Sequence, residues 1–253
     1  MIQLASLNQS FQPSTTLPLT AIIDTALCVG AGGSSGSLSD KPILKRADGK
    51  LIIPASQLKG RLRHECEKIA RALGWAICES PVAETMCPQR AGLTGNFQHE
   101  HYEIGDRNPD GSPRHHCLIC QLFGNPSLPA RLQFSDLICT EDPDNTPEVL
   151  RPGVTINRRR RTAEEKKLYF LETSPANAQL PFTGEITLLP GTPYFAQALI
   201  LAGLKHIHAL GGSKSAGLGW LQWESSVFKH PEINDDIWEF LAAAPSPPSG
   251  GEP

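Results

Sequence analysis

The side chains best suited to chemistry in this sequence are thiols and imidazoles. Cys117 and Cys120 are two residues apart, the gap that lets both thiolates turn onto one tetrahedral Zn2+. Cys87, His99, His101, His115 and His116 lie upstream and could supply the other half. Cys87 with His115 is the preferred completion, because His115 and Cys117 then share one tight turn. Two reduced core thiols or a redox pair would leave the same Cys-x-x-Cys spacing. The glycines and prolines around it, and the lack of a thioredoxin-like context, favour a metal. The zinc would be structural, tying down an insertion that has little core of its own.

Three cationic groups suggest a polyanion as partner. The first lies in residues 55–74, where Leu58, Leu62, Ile69 and Leu73 fall on one helical face. Ser56 suits an N-cap, and the polar face opens with Lys59, Arg61 and Arg63 at the helix end whose backbone N–H groups favour anions. The lysine-serine pair of a phosphate-binding loop is missing, so a phosphate backbone fits better than a nucleoside triphosphate. The second group is Arg158, Arg159, Arg160 and Arg161, with Lys166 and Lys167 beyond them, between apolar segments. That arrangement suits a projecting hairpin or loop with a cationic tip. A run of charge often marks only a solvated face, but Asn157, Thr155 and Thr162 stand beside it with side chains suited to phosphate and ribose.

The third is the stretch 211–219, GGSKSAGLG. It is either a helix C-cap with a tight turn or a place where Gly211, Gly212 and Gly217 let backbone approach a phosphate, with Ser213, Lys214 and Ser215 adding contacts. Asp40, before Lys41 and Pro42, reads by itself as a turn former. No second carboxylate stands at a two-metal spacing, and no Ser/His/Asp pattern is evident.

These groups need a scaffold to place them. Residues 1–18 are polar and irregular, an N-terminal extension; 19–29 read as a strand rich in branched residues, 51–54 as a short apolar strand before the helix. Residues 78–114 lose all periodicity, a long insertion of the sort that usually carries function or disorder. Leu132, Phe134 and Leu137 suggest a strand, 141–152 an acidic connector, and 182–189 another strand. A helix over 193–210 would put Phe195, Leu199, Ala202 and His206 on one stripe, and GWLQW leads into a last strand. A short amphipathic helix over 232–241 precedes a proline-rich tail, 243–253, of disorder-prone composition. The order β-α-(insert)-β-(insert)-β-α-β predicts one compact α+β domain over 19–242.

The 253 residues suffice for a real core. The formal net charge of -3 gives no global attraction to nucleic acid, so binding must come from local clusters. Seven cysteines, an odd number, without a secretory signal suggest a reducing cytoplasm and no structural disulfides. No apolar run reaches the ~18 residues that crossing a bilayer takes.

Four stretches in order, GAGGSSGSLSDKPILKRADGKLIIPASQLKGRLR, CLICQLFGNPSLPARLQFSDL, VTINRRRRTAEEKKLYFLETSPANAQLPFTGEI and GLKHIHALGGSKSAGLGW, together resemble the RAMP superfamily, and specifically the backbone subunit of type III CRISPR effector complexes. The resemblance implies a ferredoxin-like, RNA-recognition-type core with a zinc-bearing finger insertion at about 78–120 and a thumb hairpin at 151–181. It implies stacked copies along a CRISPR guide RNA beside other effector subunits, and a thumb that flips one nucleotide out of each guide-target segment. Lys59, Arg61 and Arg63 match the family's guide-backbone contacts, and 211–219 its glycine-rich motif. In catalytic members the aspartate before the second strand cuts target RNA, a position that falls here on Asp40, with Mg2+ or another divalent ion as the expected aid. Where the family thumb often reads Ile-Asp-Arg, this chain has Ile156-Asn157-Arg158. A scaffold subunit that leaves cutting to its neighbours, and a metal-independent guide-processing endoribonuclease using His64 or His206, are the alternatives.

Overall fold

A computed structural model describes residues 14–30, 39–229 and 235–244. Most of the expected N-terminal extension, the glycine and serine loop before Asp40, and the tail beyond 244 lie outside the described residues.

Strand β1 (Thr15–Ile23) alternates as a half-covered strand must, with Leu17, Leu19, Ala21 and Ile23 buried. It begins at Thr15, so residues 15–18, expected in the extension, are sheet: Thr15 faces Leu188 and Leu17 faces Ile186 on β9 (Leu180–Leu188). In sequence, Pro18 argues against a strand there. β10 (Leu221–Trp223) covers only Ala21–Ile23, which leaves β1 an edge strand at Pro18, where a missing N–H is tolerated. The strand ends at Ile23, and residues 24–29, also expected in it, run on as irregular chain.

The main sheet is antiparallel, in the order β10-β1-β9-β6-β2, with β2 (Ile52–Ile53), β6 (Leu137–Cys139) and β5 (Leu132–Phe134) completing it, β5 beside β9. Helix α1 (Ala55–Ala72) buries Leu58, Leu62, Cys66 and Ala70. Its N-terminal boundary is Pro54, which makes no side-chain cap. Ser56, expected as the N-cap, falls inside the first turn, and Asp136 caps instead from across the sheet, its Oδ1 accepting from Ala55 N at 2.7 Å.

Helix α3 (Ala196–Lys205) packs against α1 and buries Leu199, Ile200 and Leu204. It stops short of the expected Leu210, so His206 is an exposed C-cap residue and not part of a buried stripe. The two helices approach closely at Gly203, where a Cβ would stand 2.8 Å from both Cys66 Sγ and Leu62 Cδ1. The short α4 (Asp235–Ala242) docks through Leu241, whose carbonyl accepts from Trp75 Nε1 at 2.7 Å.

Two units project from this core. The first holds β3 (Glu103–Arg107), β4 (Pro113–His115) and α2 (Leu118–Phe123). It is better packed than expected: Phe97 and Tyr102 are fully buried, their rings 5.1 Å apart and joined through Trp75 to Phe240. The second is a hairpin of β7 (Val149–Asn157) and β8 (Thr162–Thr173), a sheet of its own that starts two residues before the expected thumb. Leu150, Val154, Ile156, Leu168 and Tyr169 are exposed on it, Ile156 by 61% and Leu168 by 59%. Among the described residues no helix is long and apolar enough to cross a membrane.

The α1–α3 contact is the sensitive joint of the core. Gly203→Val is expected to cost about 1–3 kcal/mol by overpacking, read as a lower midpoint in urea unfolding with the slope unchanged.

Candidate nucleic-acid interface and metal centre

Four buried sulfurs converge at the root of the first unit. The Sγ atoms of Cys78, Cys87, Cys117 and Cys120 all lie within 4.8 Å of one another. Cys78 is 3.6 Å from both Cys117 and Cys120, close to the ~3.8 Å edge of a tetrahedron built on Zn–S bonds of ~2.3 Å. Hydrogen bonds from Cys117 and Cys120 hold the Cys78 thiol well below its ordinary range, whereas burial pushes that of Cys117 up. The Cys120 thiol, bonded by Cys117, is held below its ordinary range as well, and gathering four buried thiolates needs a cation to offset their charge. The set can hold a metal such as zinc.

The expected ligands Cys87, Cys117 and Cys120 are all in this group, but His115 is not. It sits on β4 directly opposite Glu103, its Nε2 3.6 Å from Glu103 Oε1, and Cys78 takes the fourth place. A strand that pairs His115 across to Glu103 cannot also turn it onto the sulfurs two residues on. His116 is buried, with Nδ1 2.9 Å from Asn125 Nδ2; burial, with Arg114 and Arg90 nearby, pushes its imidazole down to about 4. The rings of His99 and His101 lie 4.5 Å apart, tilted by 31°, beside Glu100, a separate trio outside the cysteine group. Cys78 belongs to no Cys-x-x-Cys pair, and only the turn after α1 brings it in.

Arg63 is tied to other parts of the protein. Its Nε bonds Glu67 Oε1 at 3.0 Å, Nη1 donates to the Gly124 carbonyl at 2.9 Å, and Nη2 lies 3.7 Å from Cys120 Sγ. Burial works against its charge, but Glu67, Cys120 and Cys117 more than offset this and hold it above its ordinary value. The guanidinium thus faces the sulfurs, where the sequence suggests a phosphate contact.

Other expected contacts gather in a cleft of about 350 Å3. Ser56, Gln57, Gly60, Arg61 and His64 of α1 form one wall; Ala209, Leu210, Gly211 and Lys214 form the other. Arg61 Nη2 is steadied by Glu65 at 2.8 Å, and Lys214 Nζ donates to the Gly211 carbonyl at 3.1 Å. Lys59, half-buried, lies outside this cleft. Gln57 does not stand out in the sequence; its place between Ser56 and Gly60 on the wall is the one available signal. Beyond the cleft, Gly212, Ser213, Ser215 and Gly217 are exposed around a 3-10 turn (Lys214–Ala216) flanked by two left-handed residues, Ser213 at φ 53° and Gly217 at φ 85°. Gly219 has an internal reason to be glycine: at φ 70°, a Cβ there would stand 1.8 Å from the Leu210 carbonyl oxygen.

Asp40 is exposed and held at the root of the β7–β8 hairpin. Its N–H donates to the Phe170 carbonyl at 3.1 Å, and its Oδ2 accepts from Phe170 N at 2.8 Å. The next residues continue the attachment: Glu172 N donates to the Lys41 carbonyl at 3.1 Å and Ile43 N to Glu172 Oε2 at 3.0 Å. At the far end Arg158, Arg159, Arg160 and Arg161 make the exposed turn. Asn157 organises it, Oδ1 accepting from Arg159 N at 3.1 Å and Arg160 N at 3.0 Å, before Thr162 opens β8. An Asx acceptor therefore stands where the resemblance would put an aspartate.

A sequence model described as the RAMP superfamily matches residues 21–222. Among solved structures, the chain is similar to one in "Cryo-EM structure of the Type III-B Cmr-beta bound to cognate target RNA", with a TM-score of 0.53 and 15% identity over 84% of this chain. It spans 59% of the length of that chain, and at this identity the likeness is one of fold. Comparison with curated proteins gives no match.

The cysteine geometry separates two ligand sets. Cys78→Ser is expected to lose bound zinc on metal analysis and, at a cost of about 3 kcal/mol, to lower the thermal midpoint by about 6–12 °C. His115→Ala should keep a full complement of zinc.

Proposed function

The chain belongs to the RAMP superfamily, and from that premise we propose that it is a guide-RNA-binding backbone subunit of a type III CRISPR effector complex, one that cuts target RNA through Asp40. The observation that carries the proposal is the pair of hydrogen bonds between Asp40 and Phe170, which fixes an exposed carboxylate at the base of a hairpin with four arginines at its tip. A ferredoxin-like core is supported by the spatial order β10-β1-β9-β6, with α1 following β1 and α3 following β9. The compartment is the cytoplasm, where guide and target RNA would be met.

Guide backbone runs through the cleft, where Arg61 and Lys214 supply charge and Ser56, Gly211 and the turn 212–217 supply short polar contacts. The hairpin enters the guide-target duplex, with its exposed apolar residues against bases and its arginines on phosphates. A base displaced from an A-form stack frees its ribose, so the 2′-hydroxyl can line up with the adjacent phosphorus. The 2′-oxygen bonds to phosphorus as its proton leaves, and the 5′-oxygen departs and takes up a proton. The products are a 2′,3′-cyclic phosphate and a 5′-hydroxyl.

A single carboxylate with RNA phosphate oxygens and water suits Mg2+, and such an ion, when bound, supplies neutralisation of phosphate charge. Asp40 would hold it, and the bonds to Phe170 orient the carboxylate. A zinc held by Cys78, Cys87, Cys117 and Cys120 would be structural, since four thiolates would fill a tetrahedral shell.

In the assembled complex, with labelled target RNA and Mg2+, Asp40→Ala is expected to slow periodic cleavage by about 10²-fold or more without weakening target binding. Cleavage at the wild-type rate would leave a scaffold subunit. Converting Arg158 and Arg160 to alanine should flatten the salt dependence of RNA binding by about 0.7–0.9 in the log-log slope for each phosphate no longer neutralised.

A further inference from the structure

Residues 61 and 63 are about 200° apart around a helix of 3.6 residues per turn, so α1 turns Arg61 to the cleft and Arg63 to the sulfurs. A divalent ion with four thiolates carries a formal charge of about -2, and burying it requires compensation close by. Arg63 lies where that charge would be, with Nη2 3.7 Å from Cys120 Sγ. Its Nη1 bonds the carbonyl of Gly124, the residue that caps the C-terminal, electronegative end of α2. Its Nε is fixed by Glu67, itself one turn further along α1. One planar fork thus joins α1, the end of α2 and a metal ligand. We propose that Arg63 is the positioning residue of the four-cysteine metal centre: it supplies the counter-charge, sets the direction of Cys120 and locks α2 to the helix that carries the cleft. It is not an RNA contact.

This rests on the metal site proposed above but not on RNA cleavage. N–H donors on a thiolate fix its rotamer and lower its basicity, and loss of such outer partners typically costs 10–100-fold in metal affinity. A lysine in the same place would keep the charge and lose the fork.

The test uses the full chain loaded with zinc. Zinc affinity is measured by competition with a chromophoric chelator, and RNA binding over a salt series. Arg63→Met is expected to weaken zinc 10–100-fold, Arg63→Lys to recover part of that, and the zinc-loaded Arg63→Met protein to keep the wild-type salt slope for RNA. Unchanged zinc affinity with a slope reduced by about 0.7–0.9 would make Arg63 a phosphate contact and overturn the proposal. So would a wild-type chain that binds no stoichiometric zinc. Should Arg63→Met fail to fold, Arg63→Lys decides, and zinc affinity equal to wild type counts against the role. A wild-type chain that binds zinc but no RNA would defeat the RNA-binding reading and leave the zinc comparison intact.

Discussion

The burial of α1 against the sheet and α3 is the contact on which the remaining arrangement depends. Leu58, Leu62, Cys66 and Ala70 seat it, Gly203 admits α3 close beside it, and Asp136 caps its first turn from β6's side of the sheet. A helix fixed on three sides can present different chemistry on each remaining face. One wall of the cleft, with Ser56, Arg61 and His64, lies on one side and Arg63 with Glu67 on another. A shift of the helix by a fraction of a turn would misplace both.

The charge distribution follows the same logic. A chain with net charge -3 meets a polyanion only where cations are concentrated, and it concentrates them at the hairpin tip and beside the cleft. Not every basic residue in a basic segment is left without a protein contact. Arg61 shares its charge with Glu65 and Arg63 is committed to Glu67, Gly124 and Cys120. Two arginines only two residues apart thus meet different surroundings, set by helical phase.

Periodicity made the α+β class, α1 and the central strands legible in sequence, the arginine run between apolar segments pointed to the hairpin, and the Cys-x-x-Cys spacing marked half of the cysteine group. What escaped was decided by tertiary contact. Cys78 and His115 differ only in which one the chain folds toward the sulfurs, and β-pairing of His115 to Glu103 settles that. Pro18 masked the start of β1 because edge position is invisible in one strand's sequence. Asp40 offered no local sign of its anchoring, since the bonds that hold it come from Phe170, 130 residues away.

Beyond its root, the β7–β8 ribbon reaches out with both edges uncovered among the described residues and a run of bare aliphatic side chains. A two-stranded ribbon is marginal in water by itself, and such edges invite strangers. The ribbon is then the vulnerable part of this fold: its arginine turn is open to trypsin-like proteases, and its edges to self-association.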